Sequence, residues 1–496
     1  MDYCRYYALC TKFFHELGDL DIQPCGNVEV VATWNGACSA AVGRIAAALA
    51  TGNTCTLKAD AKAAPVACLV AQAFYAAGFT EQALKLDVDH PAEIQYPEGS
   101  KNAIILTAKG DRGHAIMNAC HSAFTGAGQK AAACSLLLVE RSVYENADFF
   151  EKLKDCASSL MCGPVTNTGN IVGPMITNHN PRLERALQLD EGERWLVAPE
   201  FVDEEHFILR PTVKVGVRPG SYTFRTPLFA PLLAVAPFDT LAEAVSLVNS
   251  LGYSLASGLQ SLDEEEQRYW KSHVRAGNLY INRGITGAVV GRQPFGSLRT
   301  GAACSLKTGG PNHVTQFMTI ADKADSKTDY RTSYSTWYER EFRHARNLHP
   351  EIRGEQNIFR YLPLKGGMAL RLCGGETKEQ VQKVVLAAAT VGTSLTISMD
   401  ENHALSQQLK EFGGAVCKRE PLSAFCASLS NFDRIRTLSA NVPQELLDAA
   451  DRAGIFVERA LPVSDGRVEL LRYLAEQSIS NEYHRYGSQI EVPNLE

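Results

Sequence analysis

The sequence predicts an α/β protein with parallel sheets, divided into two or three domains. Three observations predict this class: short apolar runs alternate with helix-like segments, their spacing matches strand-helix-strand units, and the chain has 496 residues. A single hydrophobic core stops growing at about 250–300 residues, so a chain of this length is expected to divide.

The alternation is clearest near the amino terminus. The predicted elements there are a strand over 28–33 (VEVVAT), a helix over 41–52 (AVGRIAAALATG), a strand over 54–59 (TCTLKA), a helix over 65–78 (PVACLVAQAFYAAG), a strand over 102–106 (NAIIL), a helix over 111–127 and a strand over 136–140. Strands separated by helices in this way predict a parallel sheet, because parallel neighbours need a crossover connection.

The same pattern continues to the end of the chain. The later elements are a strand within 228–239, a helix over 241–252, a strand over 278–283, and then GMALRL (367–372), a helix over 378–392, SLTIS (394–398) and AGIFVER (453–459). A polar, aromatic-rich passage over 321–355 separates the last group from the rest. We therefore predict four parts: 1–127, 128–320, a linker or interaction arm over 321–355, and a smaller α/β unit over 356–496.

Composition excludes several classes of function. The net charge is −6, so there is no basic field to gather phosphates, and nucleic acid is not an expected partner. No apolar run reaches the roughly 18 residues of a membrane helix, and the first residues resemble neither a signal peptide nor a presequence. The fourteen cysteines are scattered without a C-x-x-C pair, which argues against zinc and predicts reduced thiols in a reducing compartment.

A glycine-rich turn separates the predicted helix over 111–127 from the strand over 136–140. It reads Gly126-Ala-Gly128-Gln129-Lys130, and three alanines beginning with Ala131 follow it. Such a turn commonly presents a nucleophile, yet an alanine has no atom that can attack a carbonyl. The pattern leads to the hypothesis of an active site that has lost its chemistry.

Several motifs occur in an order typical of one family. They are Trp34-Asn35, ALATGNT (48–54) with Leu57-Lys58, the Gly128-Gln129-Lys130 turn, Phe229-Ala-Pro231, GNLYIN (277–282) and Pro294-Phe-Gly296. With these motifs the chain resembles the aldehyde dehydrogenases. RGITGAVVGRQPFG (283–296), LKTGGPNH (306–313) and DGRVELLRYLAEQSISNEYHRYG (465–487) make it most similar to L-glutamate γ-semialdehyde (Δ1-pyrroline-5-carboxylate) dehydrogenases, especially those fused to proline dehydrogenase.

The resemblance covers nearly the whole chain and refines the predicted fold. It implies a truncated Rossmann-type cofactor domain, a catalytic-type α/β domain and a smaller C-terminal α/β domain. In such an enzyme a cysteine thiolate attacks the aldehyde, hydride passes to a nicotinamide, and a glutamate activates the water that releases the acid.

The resemblance also implies that the catalytic groups are missing. The nucleophile's position is Ala131, and Cys134 is a weak substitute because three residues change both the place and the direction of a side chain. The general base falls on Pro97, with Glu98 as a weak substitute one residue away.

The resemblance also implies that most of the residues that bind the cofactor are missing. Only about two dozen residues separate Gly78 from Asn102, so the family's phosphate-facing turn is absent. The glutamate that meets the nicotinamide ribose is replaced by Pro227. Asn35 and Lys58 are retained, but each also suits a purely structural role, an amide that fixes a turn or a solvated lysine.

The loop that anchors the substrate carboxylate in the family corresponds to Gly309-Gly310. The residues before it, 297–305, depart from the family pattern, so glutamate binding is a doubtful expectation. Members of the family also carry about a hundred residues before the position of Asp2. We therefore expect apolar sheet faces left uncovered here, and a partner that buries them.

These losses lead to a first hypothesis: a catalytically inactive scaffold, without a cofactor or metal, acting as a structural or regulatory subunit of a homo-oligomer, a hetero-oligomer or a large assembly. The alternatives are a residual NAD-dependent semialdehyde dehydrogenase that uses Cys134 and Glu98, and a sensor of proline-derived carboxylates at Gly309 and Gly310. The family resemblance predicts a mitochondrial location, with a cytoplasmic one as the alternative.

Overall fold

The computed structural model describes residues 1–92, 99–177, 179–298 and 306–484, and of residues 409–411 the backbone. Its strands are β1 (Leu20–Pro24), β2 (Asn27–Ala32), β3 (Thr54–Asp60), β4 (Leu84–Ala92), β5 (Asn102–Leu106), β6 (Cys134–Glu140), β7 (Arg194–Val197), β8 (Phe201–Asp203), β9 (Ile208–Leu209), β10 (Thr212–Val215), β11 (Leu232–Phe238), β12 (Ala256–Gln260), β13 (Asn278–Ile281), β14 (Met318–Asp322), β15 (Arg346–Asn347), β16 (Glu355–Pro363), β17 (Met368–Arg371), β18 (Leu395–Met399), β19 (Val416–Arg419), β20 (Arg434–Thr437), β21 (Val457–Glu458) and β22 (Leu474–Glu482).

The helices connect these strands and cover the sheets. They are α1 (Asp2–His15), α2 (Ser39–Ala50), α3 (Ala64–Ala76), α4 (Arg112–Phe124), α5 (Arg141–Tyr144), α6 (Ala147–Ser158), α7 (Pro181–Ala186), α8 (Tyr222–Arg225), α9 (Leu241–Ser250), α10 (Glu264–His273), α11 (Tyr330–Trp337), α12 (Lys378–Val391), α13 (Leu422–Ala427), α14 (Gln444–Ala453) and α15 (Gly466–Glu469). In the described part of the chain no helix is both long and apolar enough to cross a bilayer. The α/β class predicted from the sequence is confirmed.

A ten-stranded sheet forms the centre of the molecule, in the order β15-β16-β22-β13-β12-β5-β6-β11-β10-β7. Neighbours from β22 to β10 are parallel, and an antiparallel strand lies at each side, β16 beside β22 and β7 beside β10. Helices α4 and α6 pack on one face, and α9 and α10 on the other. Strand β5 is buried throughout, as expected for a strand covered on both faces.

The strand pairing shows how the predicted parts are joined. Strands β5 and β6, on either side of the predicted 127/128 boundary, are neighbours in the central sheet, and β22 from the last part pairs with β13. Within 321–355, α11 buries Tyr330 and Tyr334 in the core of the C-terminal unit. The four-part division and the role of 321–355 as an interaction arm stay predictions.

The shortened Rossmann-type unit is a parallel sheet in the order β2-β3-β4, with α2 and α3 packed on one face. Its strands alternate: Val30 and Leu57 point to the helices, while Glu29, Thr56 and Lys58 lie on the opposite face. A doubly covered sheet would be apolar on both faces. The expectation of an uncovered apolar face in this unit is therefore wrong, because the open face carries polar side chains.

The C-terminal unit, residues 364–473, lies in the chain between β16 and β22. It contains a five-stranded parallel sheet in the order β19-β18-β17-β20-β21, so its first strand, β17, is central and the chain extends to both sides. This is the doubly wound arrangement. The predicted strand over 453–459 is wrong in extent, because α14 runs to Ala453 and Gly454 ends it with a φ of 61°.

A buried ionic cluster fixes the end of this unit. The Glu469 carboxylate accepts hydrogen bonds from Arg436, Arg472, the Tyr473 hydroxyl and the Val463 amide. Burial raises the pKa of Glu469, but Arg436 and Arg472 outweigh burial and hold that pKa below its ordinary value of 4.5. The charged carboxylate is therefore the form that the fold stabilises.

We expect E469Q to lower the free energy of unfolding by about 3–5 kcal/mol at pH 7, because Arg436 then loses its buried counter-charge. The stabilisation by a carboxylate with a depressed pKa is complete above 4.5 and is lost as pH falls through the folded-state pKa. The difference between wild type and E469Q should shrink accordingly in acid. Urea unfolding at pH 7 and pH 4 measures this; E379Q on the exposed face of α12 is the matched control, and equal losses in both variants would contradict it.

Candidate functional site

The glycine-rich turn connects α4 to β6 through three consecutive residues in left-handed backbone conformations. Gly126, Ala127 and Gly128 all have positive φ, at 67°, 53° and 66°. A side chain at Gly128 would place its Cβ 2.3 Å from the Ala230 carbonyl oxygen, so only glycine fits there. Ala131 follows, half-buried, and presents a methyl group where the resemblance places the nucleophile.

The amide of Asn102, the first residue of β5, holds this turn in place. Its Nδ2 donates to the carbonyl oxygens of Ala131 and Ala133 at 2.8 and 3.1 Å, and its Oδ1 accepts from the Ala256 amide at 3.2 Å. One buried side chain therefore joins β5, the turn and β12. The backbone of the turn is firmly positioned, and a methyl group lies where the resemblance predicts the nucleophile.

Cys134 lies at the start of β6 and is 1% exposed. Its Sγ donates to the Leu136 carbonyl oxygen at 3.4 Å, and burial raises the pKa of the thiol to about 12. The neighbouring Lys101 donates to the Ser135 carbonyl oxygen at 3.0 Å, and burial lowers the pKa of that amine to about 7. Because the thiolate is the nucleophile, Cys134 lacks the environment of a reactive cysteine.

The predicted general-base residues, Pro97 and Glu98, lie outside the described residues. The chain is described again from Gly99, and the ring of Phe229 stands directly over it: a Cβ at Gly99 would be 2.2 Å from the ring. Phe229 itself has a φ of 51° and is nearly buried. The Phe229 ring therefore fills the space between Gly99 and strand β11.

Trp34 closes the same region from the Rossmann-type unit. Its ring meets Phe229 edge to face, with the centroids 5.8 Å apart. The cavity that remains here is about 180 Å³ and is lined partly by Trp34, Gln129, Met175 and Phe229. A second cavity, beside Cys134 and Ser135, is about 10 Å³, which is room for about one water molecule.

The two retained polar residues have partners within the chain. The Asn35 side-chain oxygen accepts from the Thr33 hydroxyl at 2.9 Å. Lys58 Nζ lies 2.7 Å from Glu29 Oε2 on the open face of the small sheet, and this pairing raises the pKa of Lys58. Pro227, which the resemblance aligns with the family's ribose-binding glutamate, precedes β11 and carries no carboxylate.

The anchor loop is covered by α1. The Gly309 amide donates to the hydroxyl of Tyr7 at 2.8 Å, and Tyr7 is fully buried and stacks on His313. The Gly310 amide donates to the Lys307 carbonyl oxygen at 2.9 Å. Both glycine amides therefore have acceptors from the chain itself, where the resemblance predicts a substrate carboxylate.

The C-terminal unit has a comparable turn between β17 and α12. In a doubly wound sheet such a turn is where a phosphate binds. Here the Glu376 carboxylate accepts from the amides of Cys373 and Gly374 at 2.7 and 2.8 Å and pairs with His403 at 3.0 Å. The turn therefore holds an anion supplied by the next residues of its own chain.

Sequence reasoning missed Tyr7, Phe229 as a space-filling group and Glu376. The spacing of Tyr3, Tyr7 and Phe14 is helical and could have predicted α1.

The side chains at the expected cofactor contacts do not fit a nicotinamide dinucleotide held as the resemblance implies, because Lys58 is paired, Pro227 has replaced a carboxylate and Phe229 stands over Gly99. Among the residues that the structure describes, no group of three or more His, Cys, Asp or Glu side chains could hold a metal ion.

Comparison with known proteins places this chain in a family. The model of the aldehyde dehydrogenase family matches residues 15–95 and 89–321, which is more than half of the chain. The chain belongs to the aldehyde dehydrogenase family, as its motifs predict. The structure of proline utilization A (PutA) from Corynebacterium freiburgense is similar over 98% of this chain and 53% of that one, with a TM-score of 0.83 and 29% identity.

Curated relatives point in the same direction. A 1-pyrroline-5-carboxylate dehydrogenase of Geobacillus thermodenitrificans is 27% identical over 335 residues, 59% of this chain and 64% of that protein. A probable delta-1-pyrroline-5-carboxylate dehydrogenase of Schizosaccharomyces pombe is 33% identical over 210 residues, 40% of this chain and 38% of that protein. In each of these comparisons the chain spans less than two thirds of the relative.

Proposed function

We propose that this protein is a catalytically inactive aldehyde dehydrogenase that serves as a structural, assembly or regulatory subunit. The observation that carries the proposal is Ala131: the turn around it keeps its glycines and its Asn102 hydrogen bonds, but it has no sulfur at the reacting position. Acyl transfer through a thioester needs a thiolate there, and no neighbouring backbone group can replace it.

The groups around the turn support the same proposal. The Tyr7 hydroxyl accepts a hydrogen bond from the Gly309 amide, Glu29 forms an ion pair with Lys58, and Phe229 fills the space over Gly99. Ligand binding at Gly309, Lys58 or Gly99 in the way the resemblance implies would require these contacts to break. The rest of the molecule keeps well-formed cores on both faces of the central sheet, so its shape is preserved while its chemistry is not.

A role in an assembly is supported by helix α3. It contains no charged residue, and Leu69 on its outer side is 65% exposed. Apart from Gln72, the exposed side chains of α3 are apolar, and a helix that is apolar on nearly all sides is typical of a buried position. We propose that another protein subunit covers this side of the Rossmann-type unit, in a homo-oligomer, a hetero-oligomer or a larger assembly, with a mitochondrial location as the family-based expectation.

The second candidate is a residual NAD-dependent L-glutamate γ-semialdehyde dehydrogenase of proline catabolism. What favours it is the set of relatives named 1-pyrroline-5-carboxylate dehydrogenase. It requires Cys134 as nucleophile and Glu98 as base. The high pKa and the burial of the Cys134 thiol weigh against it.

An NAD reduction assay with Δ1-pyrroline-5-carboxylate separates the two candidates. We expect no NADH from wild type, C134S or A131C, because a thiol restored at position 131 still lacks the family's base and phosphate turn. The Geobacillus thermodenitrificans relative is the positive control for the assay. Turnover by the wild type that C134S abolishes would contradict the proposal and establish the second candidate.

The assembly role is tested by native mass. We expect the protein in extract of its own cells to migrate in a species larger than a single chain, and L69E to reduce that mass because a buried charge is costly. S158E, on the exposed side of α6, adds the same charge away from α3; it is the matched control and should leave the mass unchanged. Migration of the wild type in the extract as a single chain would contradict a role in an assembly.

A further inference from the structure

Strand β4 forms one edge of the small Rossmann-type sheet. In the order β2-β3-β4 its one strand neighbour among the residues that the structure describes is β3. The Cys55 amide donates to the Ala83 carbonyl oxygen at 2.8 Å, so in the alternation of this parallel ladder the backbone groups of Leu86 and Val88 point away from β3. An edge of this kind is a template for a further strand.

The side chains of β4 lie on two faces of the sheet. Leu86 and Val88 are on the side of the helices, and Val88 is 58% exposed. Lys85 and Asp87 are on the open polar face, in register with the β3 residues of that face. The edge therefore carries an uncovered aliphatic side chain on one face and two opposite charges, two residues apart, on the other.

These features are complementary to a second copy of themselves. When two copies of β4 pair antiparallel about a two-fold axis at Leu86, Lys85 of each chain lies opposite Asp87 of the other, and Val88 lies opposite Leu84. The outward backbone groups of the two Leu86 residues then exchange both hydrogen bonds. Pairs of opposite charge stabilise antiparallel strands, whereas an axis at Lys85 or at Asp87 would place like charges opposite each other.

Helix α3 lies beside the same edge. It packs on β3 and β4, while α2 packs on β2 and β3, so α3 is the helix nearer to the free side of β4. It contains no charged residue, and Leu69 on its outer side is 65% exposed. A stable dimer buries about 1,200 Å² or more in total, so apolar area beside the strand pair is needed. Pairing of the two β4 strands places the two α3 helices on the same face of one continuous sheet.

We propose that the subunit covering this side of the Rossmann-type unit is a second copy of this chain, joined through antiparallel pairing of the two β4 strands and contact between the two α3 helices. The product is a six-stranded sheet in the order β2-β3-β4-β4-β3-β2. The inference rests on the proposed assembly role and names its partner. It uses neither the glycine-rich turn nor the cleft beside it.

Sedimentation of the purified full chain over a series of concentrations tests the identity of the partner. We expect the wild type to have twice the mass of one chain. K85D should weaken the dimer about tenfold, because two cross-strand attractions become repulsions, and K85D/D87K should restore it. K154D, on the exposed side of α6, makes the same charge change away from β4; it is the matched control and should stay dimeric.

Disulfide trapping tests the register. With the axis at Leu86, the Cα atoms of the two Leu86 residues are about 5.5 Å apart, which a disulfide can span, whereas the two Val88 residues are more than about 13 Å apart. In oxidised glutathione we expect L86C to give a disulfide-linked dimer above the wild-type level. V88C should give none, although Val88 is the more exposed of the two side chains.

The outcomes separate this inference from the proposed assembly role. A purified wild type that sediments as a single chain at every concentration, while the extract holds a larger species, would overturn the second copy as partner and leave the assembly role standing. A single chain in both samples would overturn both. An unchanged dimer in K85D, or trapping of V88C as readily as L86C, would overturn the pairing through β4.

Discussion

The amide of Asn102 is the contact on which the centre of the molecule depends. It joins the start of β5, the turn after α4 and the start of β12 through the carbonyl oxygens of Ala131 and Ala133 and the amide of Ala256, and buried or partly buried groups of this kind are costly to leave unpaired. These hydrogen bonds are made to backbone groups, so they hold the turn in its conformation whichever side chain stands at position 131.

The groups that would face ligands in this fold have acquired partners from the chain itself. Tyr7 meets Gly309, Glu29 meets Lys58, and Glu376 meets the turn after β17. The Gly309 amide and the Glu376 carboxylate are buried and would be costly to leave unpaired, whereas the Lys58–Glu29 pair lies on the open face of the small sheet. The open face of the small sheet follows the same logic, since polar residues stand where a covered sheet would need apolar ones. These groups therefore have partners within the chain at the places where the family resemblance predicts contacts with ligands.

The elements with strong periodicity could be predicted from the sequence. Strand β5 matches its prediction residue for residue, and α2, α3 and α12 agree within a few residues, because their apolar spacing is set by local geometry. The assignment of Ala131 and Pro227 to functional positions comes from the family motifs and stays a prediction. The contact of Tyr7 with Gly309 could not be predicted, because it joins residues 302 positions apart and depends on how α1 packs.

The uncovered apolar face was wrongly expected for a related reason. The family resemblance predicted which elements cover this sheet in relatives. The alternation of Val30 and Leu57 with Glu29 and Lys58 in this sequence instead indicates a sheet with one apolar and one polar face. The pairing of β22 with β13 could not be predicted either, because the sequence of a strand does not specify which strand lies beside it in a parallel sheet.

A crystal structure of the full chain grown with saturating NAD and L-glutamate would show whether these contacts exclude ligands. We expect the Tyr7 hydroxyl to remain hydrogen-bonded to the Gly309 amide, Phe229 to remain over Gly99, and neither ligand to be bound in the cleft. A dinucleotide seated between Trp34 and Phe229 with its nicotinamide beside the Cys134 thiol, or glutamate on Gly309, would contradict it.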